Sequence, residues 1–384
     1  MTKQQLVDAD IVELQELTDP DRPITYGVVK PGPEDRETGV IFIRGGDISN
    51  GSINETDLRT ITQEVSRPYA RTILRGGEVV MSLVGNPGEV AVVPDRLAGA
   101  NLARQAGLIA LRPEIYAPYV KYYLMAPQGR GELFQRTQGA VQQVINLSDL
   151  KRVKVRLPSR LVQERIASIL SAYDDLIETN RRRITLLEEA ARLLYREWFV
   201  HFRFPGHEHV KITDGVPDGW ERGDFGSVAQ LNYGKALKAE NRIEGPFPVY
   251  GSSCKVGIHE KALVESPAIV VGRKGNVGSV YWCSENFWPI DTAYFISKEQ
   301  SDYWLYQTLP DIGFQNTDTG VPGLNRDFAY SRKVVVPSEN LRREFNLTVE
   351  PMFAQVQLLA THNQKLAQAR DLLLPRLMNG EVPV

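Results

Sequence analysis

A chain of 384 residues with 42% hydrophobic and 24% charged side chains has room for two soluble domains, each with its own core. The net charge of −2 argues against a uniformly basic, sticky protein, although a local basic face fits beneath a neutral total. Two cysteines, Cys254 and Cys283, argue against a disulfide framework and for an intracellular, cytoplasmic chain; no apolar run approaches a membrane span, and MTKQQLVDAD lacks a signal-peptide core.

Residues 1–157 alternate short β-rich runs with glycine turns. Val40-Ile41-Phe42-Ile43 ends at Gly45-Gly46, and Glu78 to Val84 ends at Gly85. Such runs predict half-buried strands. Some helix is interspersed, for example near Tyr116–Met125. The expected first domain is α+β with a curved sheet. Pro158 and a capping Ser159 then open a long helix over residues 158–202. Its apolar residues Ile166, Ile169, Tyr173, Leu176, Leu187, Ala190 and Leu194 fall on a and d positions of one heptad frame, with Asn180 at a further a position. Leu170, Ile177, Ile184 and Ala191 widen that stripe. Asn180 is either a register-fixing polar residue in a coiled-coil seam or a surface residue on a docked helix. Trp198 and Phe199 are expected to pack into the adjoining domain. His201, His207 and His209 fit a linker better than a zinc site, and no metal site is expected.

Residues 203–337 repeat the first pattern, with Phe247-Pro248-Val249-Tyr250 ending at Gly251 and Ala268 to Val271 ending at Gly272. Residues 338–384 carry a second long helix, from about Leu341 to Leu374. Its Phe345, Met352, Leu359, Leu366 and Leu373 stand in for Ile166, Tyr173, Asn180, Leu187 and Leu194. Pro375 should kink or end it, and Asn379-Gly380 gives a stop. Two such helices separated by a compact domain most simply pair as an antiparallel coiled coil.

The order domain, helix, domain, helix is a duplication too long for a solenoid repeat. Asn146–Pro158 aligns without gaps on Asn325–Pro337, an offset of 179 residues. Val84–Val93 aligns on Val271–Val280 in the frame V-G-x-x-G-x-V-x-x-V, Gly85 falling on Gly272. The glycines suit a strand-joining turn with positive φ. In that alignment the tip changes from Asn86-Pro87 to Arg273-Lys274, as a recognition loop on a fixed scaffold would. Arg273, Lys274 and Asn276 are therefore candidate DNA contacts, Arg273 for guanine or phosphate and Lys274 for phosphate. Gln138, Gln142 and Gln143, before the last strand of the first domain, are candidates for reading adenine. The segment Thr319–Asn325 is their counterpart. Arg67, Tyr69 and Arg71, and Lys235 and Lys238 after Tyr233, mix basic and aromatic groups as phosphate-tracking surfaces do. The chain has no G-x-x-x-x-G-K-[ST] phosphate loop and no Asn/Asp-Pro-Pro-aromatic motif of the kind amino-methyltransferases use.

Leu157-Pro158, then Gln163 to Leu170, Asp174 to Arg182 and Glu197 to Phe202, resemble the central conserved region of specificity subunits of type I restriction-modification systems. His201 stands where that family commonly has an acidic residue. Gly272 to Tyr281 and Phe287 to Tyr294 resemble one class of target-recognition domain, and Thr25 to Lys30 matches more weakly. Arg370 to Leu377 with Gly380-Glu381 resembles the C-terminal conserved region. The resemblance implies a non-catalytic subunit that reads a bipartite site on double-stranded DNA, one half-site per domain. It implies two partner methyltransferase subunits that use S-adenosylmethionine to methylate adenine N6. It also implies two motor-nuclease (restriction) subunits that use ATP and magnesium. No cofactor is expected on this chain. The rival reading is a coiled-coil scaffold that binds protein only. The near-neutral charge favours the rival; the changed turn tips and the Gln- and Arg-bearing loops favour DNA.

Overall fold

The computed structural model describes residues 9–134, 144–316 and 323–384. The fold is α+β: two sheet-rich domains, a long central helix and a long C-terminal helix. Compactness divides the chain into Met1–Thr179 with His362–Val384, and Asn180–Thr361. This cut differs from one made by secondary structure at residues 157, 202 and 337. It runs through both helices, because each half-helix packs on one sheet domain.

In the first unit a four-stranded sheet is ordered Thr25–Tyr26, Ala106–Ile109, Val79–Ser82, Val90–Val92. All of its pairings are antiparallel. The inner strands Val79–Ser82 and Ala106–Ile109 are buried at every residue. They therefore read as continuous apolar runs rather than alternating ones, because both faces are covered. A three-stranded sheet, Arg59–Ile61, Val40–Ile43, Asn101–Leu102, mixes antiparallel and parallel pairs. Asp10–Glu13 pairs with Lys154–Leu157 and closes the domain. The core gathers Leu14, Tyr119, Tyr122 and Leu150 with Ile166, Ala167 and Leu170 of the central helix and Leu374, Leu377 and Met378 of the C-terminal helix.

The second unit repeats the strand order of these three sheets. Its four-stranded sheet runs Asn232–Tyr233, Ala293–Ile296, Ala268–Gly272, Val280–Cys283. Its three-stranded sheet runs Lys255–His259, Phe247–Tyr250, Trp288–Pro289, again with one parallel pair. Glu221–Asp224 pairs with Lys333–Val336. The core brings Phe225, Tyr294, Trp304 and Leu305 against Ala191, Tyr195, Trp198 and Phe199 and against Phe345, Val349 and Phe353. Trp198 and Phe199 thus pack into the second domain, with Phe199 edge-on to Phe345 at 5.1 Å.

The central helix runs Arg160–Tyr195, one residue after Ser159, and continues through a π-helical turn at Arg196–Val200. The C-terminal helix runs Glu339–Met378. It passes through Pro375 and stops at Asn379-Gly380, with Gly380 at φ +70°. The proline costs one intrahelical bond, but burial of Leu374, Leu377 and Met378 holds the last turn in place.

Within each unit the two helix segments run antiparallel. In the first, Asn363 Nδ2 donates to the Ile177 carbonyl at 3.3 Å and Arg370 reaches Asp174 at 2.6 Å. In the second, Tyr195 and Trp198 meet Phe345. The row Ile166, Tyr173, Asn180, Leu187, Leu194 lies on the covered side, as does Phe345, Met352, Leu359, Leu366, Leu373. The partner row differs from the expected one. Leu176 is 52% exposed and Ala190 is exposed, while Ile169 is half-buried. The covered second row is Leu170, Ile177, Ile184 and Ala191, four residues after the first row rather than three. The C-terminal helix repeats this with Val349, Val356, Asn363, Arg370 and Leu377.

Candidate nucleic-acid interface

The turn that follows each central strand sits in one hydrogen-bond frame in both domains. Ser82 N donates to Glu89 O at 2.8 Å and Gly88 N to Ser82 O at 2.9 Å. Gly272 N donates to Ser279 O at 2.7 Å and Gly278 N to Gly272 O at 2.9 Å. Ser82 therefore corresponds to Gly272, and the true register sets Gly85 on Gly275 and Gly88 on Gly278. All four take positive φ: +91°, +81°, +88° and +77°. A Cβ on Gly88 would lie 3.0 Å from Phe134, and one on Gly278 would lie 3.0 Å from Phe314. Both turns thus read G-N-x-G, Gly85-Asn86-Pro87-Gly88 and Gly275-Asn276-Val277-Gly278. This corrects the sequence alignment, which set Arg273-Lys274 at the tip. Those residues lie just before the turn, and Asn276 is the exposed tip residue equivalent to Asn86.

Arg273 occupies the position of Leu83. Leu83 N donates to Gln105 O and its carbonyl accepts from Ile145 N; Arg273 N donates to Thr292 O and its carbonyl accepts from Leu324 N. The Arg273 side chain is half-buried. It donates to the Asp291 carbonyl at 2.9 Å and lies 4.9 Å from the Tyr233 ring and 5.7 Å from the Tyr294 ring. Tyr233 stays 49% exposed. It packs on Tyr294 at 5.1 Å. The Tyr294 hydroxyl is pushed up to about 12, by burial first and by the adjacent Tyr233 next. A residue that the sequence reading missed completes the group. Arg326 lies 5.2 Å from the Tyr233 ring and 5.9 Å from Tyr330. Its place is fixed by Asn325, whose side chain caps the next helix by accepting from Asp327 N at 2.8 Å and Phe328 N at 3.0 Å. The 179-residue alignment carried the signal, since Arg326 falls where the first domain has Leu147.

Lys274 is exposed, and its backbone bridges to Gly323. Lys235 and Lys238 are exposed beyond Tyr233. The Lys235 carbonyl accepts from Trp288 Nε1 at 2.9 Å, and Lys238 pairs with Glu240 at 3.6 Å. Tyr233, Arg273, Lys274 and Lys235 thus come together at one end of the second domain's sheet. In the first domain, Arg67 and Arg71 are exposed and Tyr69 is half-buried, on the short 3-10 segment Arg67–Thr72. Buried Asn101 anchors that segment, accepting from Thr72 Oγ1 at 2.7 Å and donating to Ser66 Oγ at 3.0 Å. Gln138, Gln142 and Gln143 lie outside the described residues, as do positions 317–322 of their counterpart segment.

The first unit also holds a charged cluster whose pairing no sequence pattern announced. Asp174 accepts from Lys121 Nζ at 2.8 Å, Tyr122 Oη at 2.6 Å and Arg370 Nη1 at 2.6 Å. Burial pushes the Asp174 carboxyl up, but Lys121, Tyr122 and Arg370 outweigh it and hold it below its ordinary range. Burial lowers Lys121 despite the attraction of Asp174.

Geometry thus defines a class: one α+β module built twice, each copy seated on a pair of helix segments and ending its sheet in a G-N-x-G turn. Residues 29–189 match the type I restriction modification DNA specificity domain. The MjaIX specificity subunit of Methanocaldococcus jannaschii is 25% identical over 363 residues, spanning 85% of this chain and 82% of that one. The EcoBI specificity subunit of Escherichia coli is 32% identical over 169 residues, 43% of this chain and 35% of that one. The crystal structure of a type I S subunit from M. genitalium covers 96% of each chain with a TM-score of 0.53 at 19% identity, a likeness of fold. Residues 29–189 thus carry the DNA specificity domain of type I restriction-modification systems, and the chain as a whole is similar to specificity subunits of such systems. No helix among the described residues is long and apolar enough to cross a membrane.

Proposed function

We propose that this subunit reads a bipartite site on double-stranded DNA, one half-site per sheet domain, with the helices setting the gap. It performs no chemistry itself and binds no cofactor. It docks two methyltransferase subunits, which use S-adenosylmethionine to methylate adenine N6, and two motor-nuclease subunits, which use ATP and magnesium, in the cytoplasm. The observation that carries this reading is the repeated module. Identical strand order and a common G-N-x-G turn support differing side chains, Leu83 against Arg273 and Leu147 against Arg326. A scaffold held constant beneath changed side chains is what reading two different half-sites requires. The test is modification-sensitive sequencing of the host genome with the gene present and deleted. A two-part methylated motif that vanishes on deletion is the expected result. Methylation unaffected by deletion, with no gel shift in the presence of a co-expressed methyltransferase subunit, would leave a protein-binding scaffold instead.

A further inference from the structure

We propose that Arg273 and Arg326 together grip one or two neighbouring backbone phosphates of the second half-site, with Tyr233 as their shared platform, and that the first domain lacks this grip. The inference rests on the DNA-reading function proposed above. Both guanidinium carbons lie near one ring centroid, at 4.9 and 5.2 Å, so they are at most about 10 Å apart. That is about one Debye length at 0.1 M salt, so the two charges feel each other. Among the described residues neither arginine makes an ion pair. Asp327 follows Arg326 in the chain without pairing to it, and Asp291 offers Arg273 only its backbone carbonyl. Two like charges are therefore held on a half-exposed tyrosine with no ion-pair partner among the described residues. A guanine edge presents neutral acceptors and would leave both charges standing. Arg273 has also committed one amino group to the Asp291 carbonyl, which reduces the fork it could offer a base. A phosphate satisfies both cations at once and accepts from either. In the first domain the same two places hold buried Leu83 and half-buried Leu147.

The test is the salt dependence of DNA binding by the full chain with its co-expressed methyltransferase subunit. Fluorescence anisotropy is measured between about 50 and 200 mM salt. The probes are a random-sequence duplex and one carrying the motif that the host methylates. Arg326→Leu installs the residue that the first domain carries at this place. Arg326→Leu and Arg273→Leu should each lower the slope of log affinity against log salt by about one unit, on both duplexes, and leave the methylated motif unchanged. Arg326→Lys should keep most of the slope. A folded Arg326→Leu protein with the wild-type slope would overturn the grip while leaving DNA reading intact. A changed base in the second half-site would assign these arginines to base reading instead. Wild-type protein that binds neither duplex would overturn the functional reading and this inference together.

Discussion

Replacing Asp174 by Asn should unmask the cost of the charges it neutralises. The side chains of Lys121 and Arg370 are each 8% exposed, and that of Asp174 is 22% exposed. Asparagine keeps the shape but leaves buried Lys121 facing an amide, and leaves Arg370 with only the more exposed Asp371 carboxylate, at 2.8 Å. Removing one partner of a fully buried pair costs about 3–5 kcal/mol; the partial exposure of Asp174 puts the expectation near the lower end, about 3 kcal/mol. In a unit of roughly 200 residues this corresponds to about 6–12 °C in Tm. The pH dependence gives a second reading. The folded pKa of Asp174 lies below its unfolded value, so its contribution is present above the ordinary carboxylate range and is lost as pH falls through the folded value. The folded pKa of Lys121 is already lowered, and losing Asp174 lowers it further. Asp174→Asn should therefore regain stability as pH rises toward the ordinary lysine range, where wild type gains less. The other unit suggests a control. At the positions of Asp174 and Arg370 it has Phe353, stacked on Tyr303 at 4.4 Å, and fully buried Ala191. The triple variant Lys121→Met, Asp174→Leu, Arg370→Met should accordingly cost less than Asp174→Asn alone. Scanning calorimetry of the full chain across pH measures all of this. A shift below about 2 °C for Asp174→Asn, with no recovery at high pH, would mean that solvent screens the cluster and the reasoning fails.

Gly88→Ala and Gly278→Ala should each destabilise more than Gly85→Ala, since all three carry positive φ but only the first two also meet a phenylalanine at 3.0 Å. About 1–2 kcal/mol is expected for the backbone alone, and chemical denaturation would separate the added crowding. Phe199→Ala should cost about 3–5 kcal/mol in the second unit, because the ring is 8% exposed and touches Phe345 and Trp304; equilibrium unfolding followed by tryptophan fluorescence reports it. A four-residue insertion near Arg182–Arg183, matched near Leu359, adds about 6 Å of helix. Methylation mapping should then find both half-sites unchanged and the gap one or two base pairs longer, as the roughly 3.4 Å rise of DNA dictates.

The long helices were legible because their apolar residues recur over many turns. The row from Ile166 to Leu194 could be placed from sequence. Of the two rows beside it, both named from sequence, the covered one could not be chosen, because Leu176 and Ala190 are apolar yet exposed, and the choice between i+3 and i+4 rests on which neighbour the chain supplies. The duplicated turn was visible, but its register was set on the shared Val-Gly pair. The better signal was the shared G-N-x-G-x-V, which the hydrogen bonds at Ser82 and Gly272 select. Arg326 was hidden in an aligned segment that reads as a helix start and a strand. The pairing of Lys121, Asp174 and Arg370 was not legible: Asp174 and Arg370 head segments that resemble the family's conserved regions, but 53 and 196 residues separate the pairs and nothing local joins them.

The two copies constrain backbone and free side chains in a consistent way. Strand order, the parallel pair in the small sheet, the G-N-x-G frame and the asparagine before each short helix are common to both. The turn glycines, with positive φ, and Asn325, which caps its helix, are positions that a different residue would distort. The positions that diverge point away from the backbone network, and they diverge in opposite senses. The first unit is apolar beside its turn, at Leu83 and Leu147, and charged where its domain meets the helices, at Asp174 and Arg370. The second is charged beside its turn, at Arg273 and Arg326, and apolar at the helices, at Phe353 and Ala191. Exchanging a buried ionic cluster for an aromatic one keeps a domain seated with little change in stability. Exchanging leucine for arginine beside an exposed turn changes what the surface attracts. The first kind of drift is tolerated by folding. The second changes what each copy of one scaffold attracts, and under the function proposed above it lets a duplicated module read two unlike half-sites without a new fold.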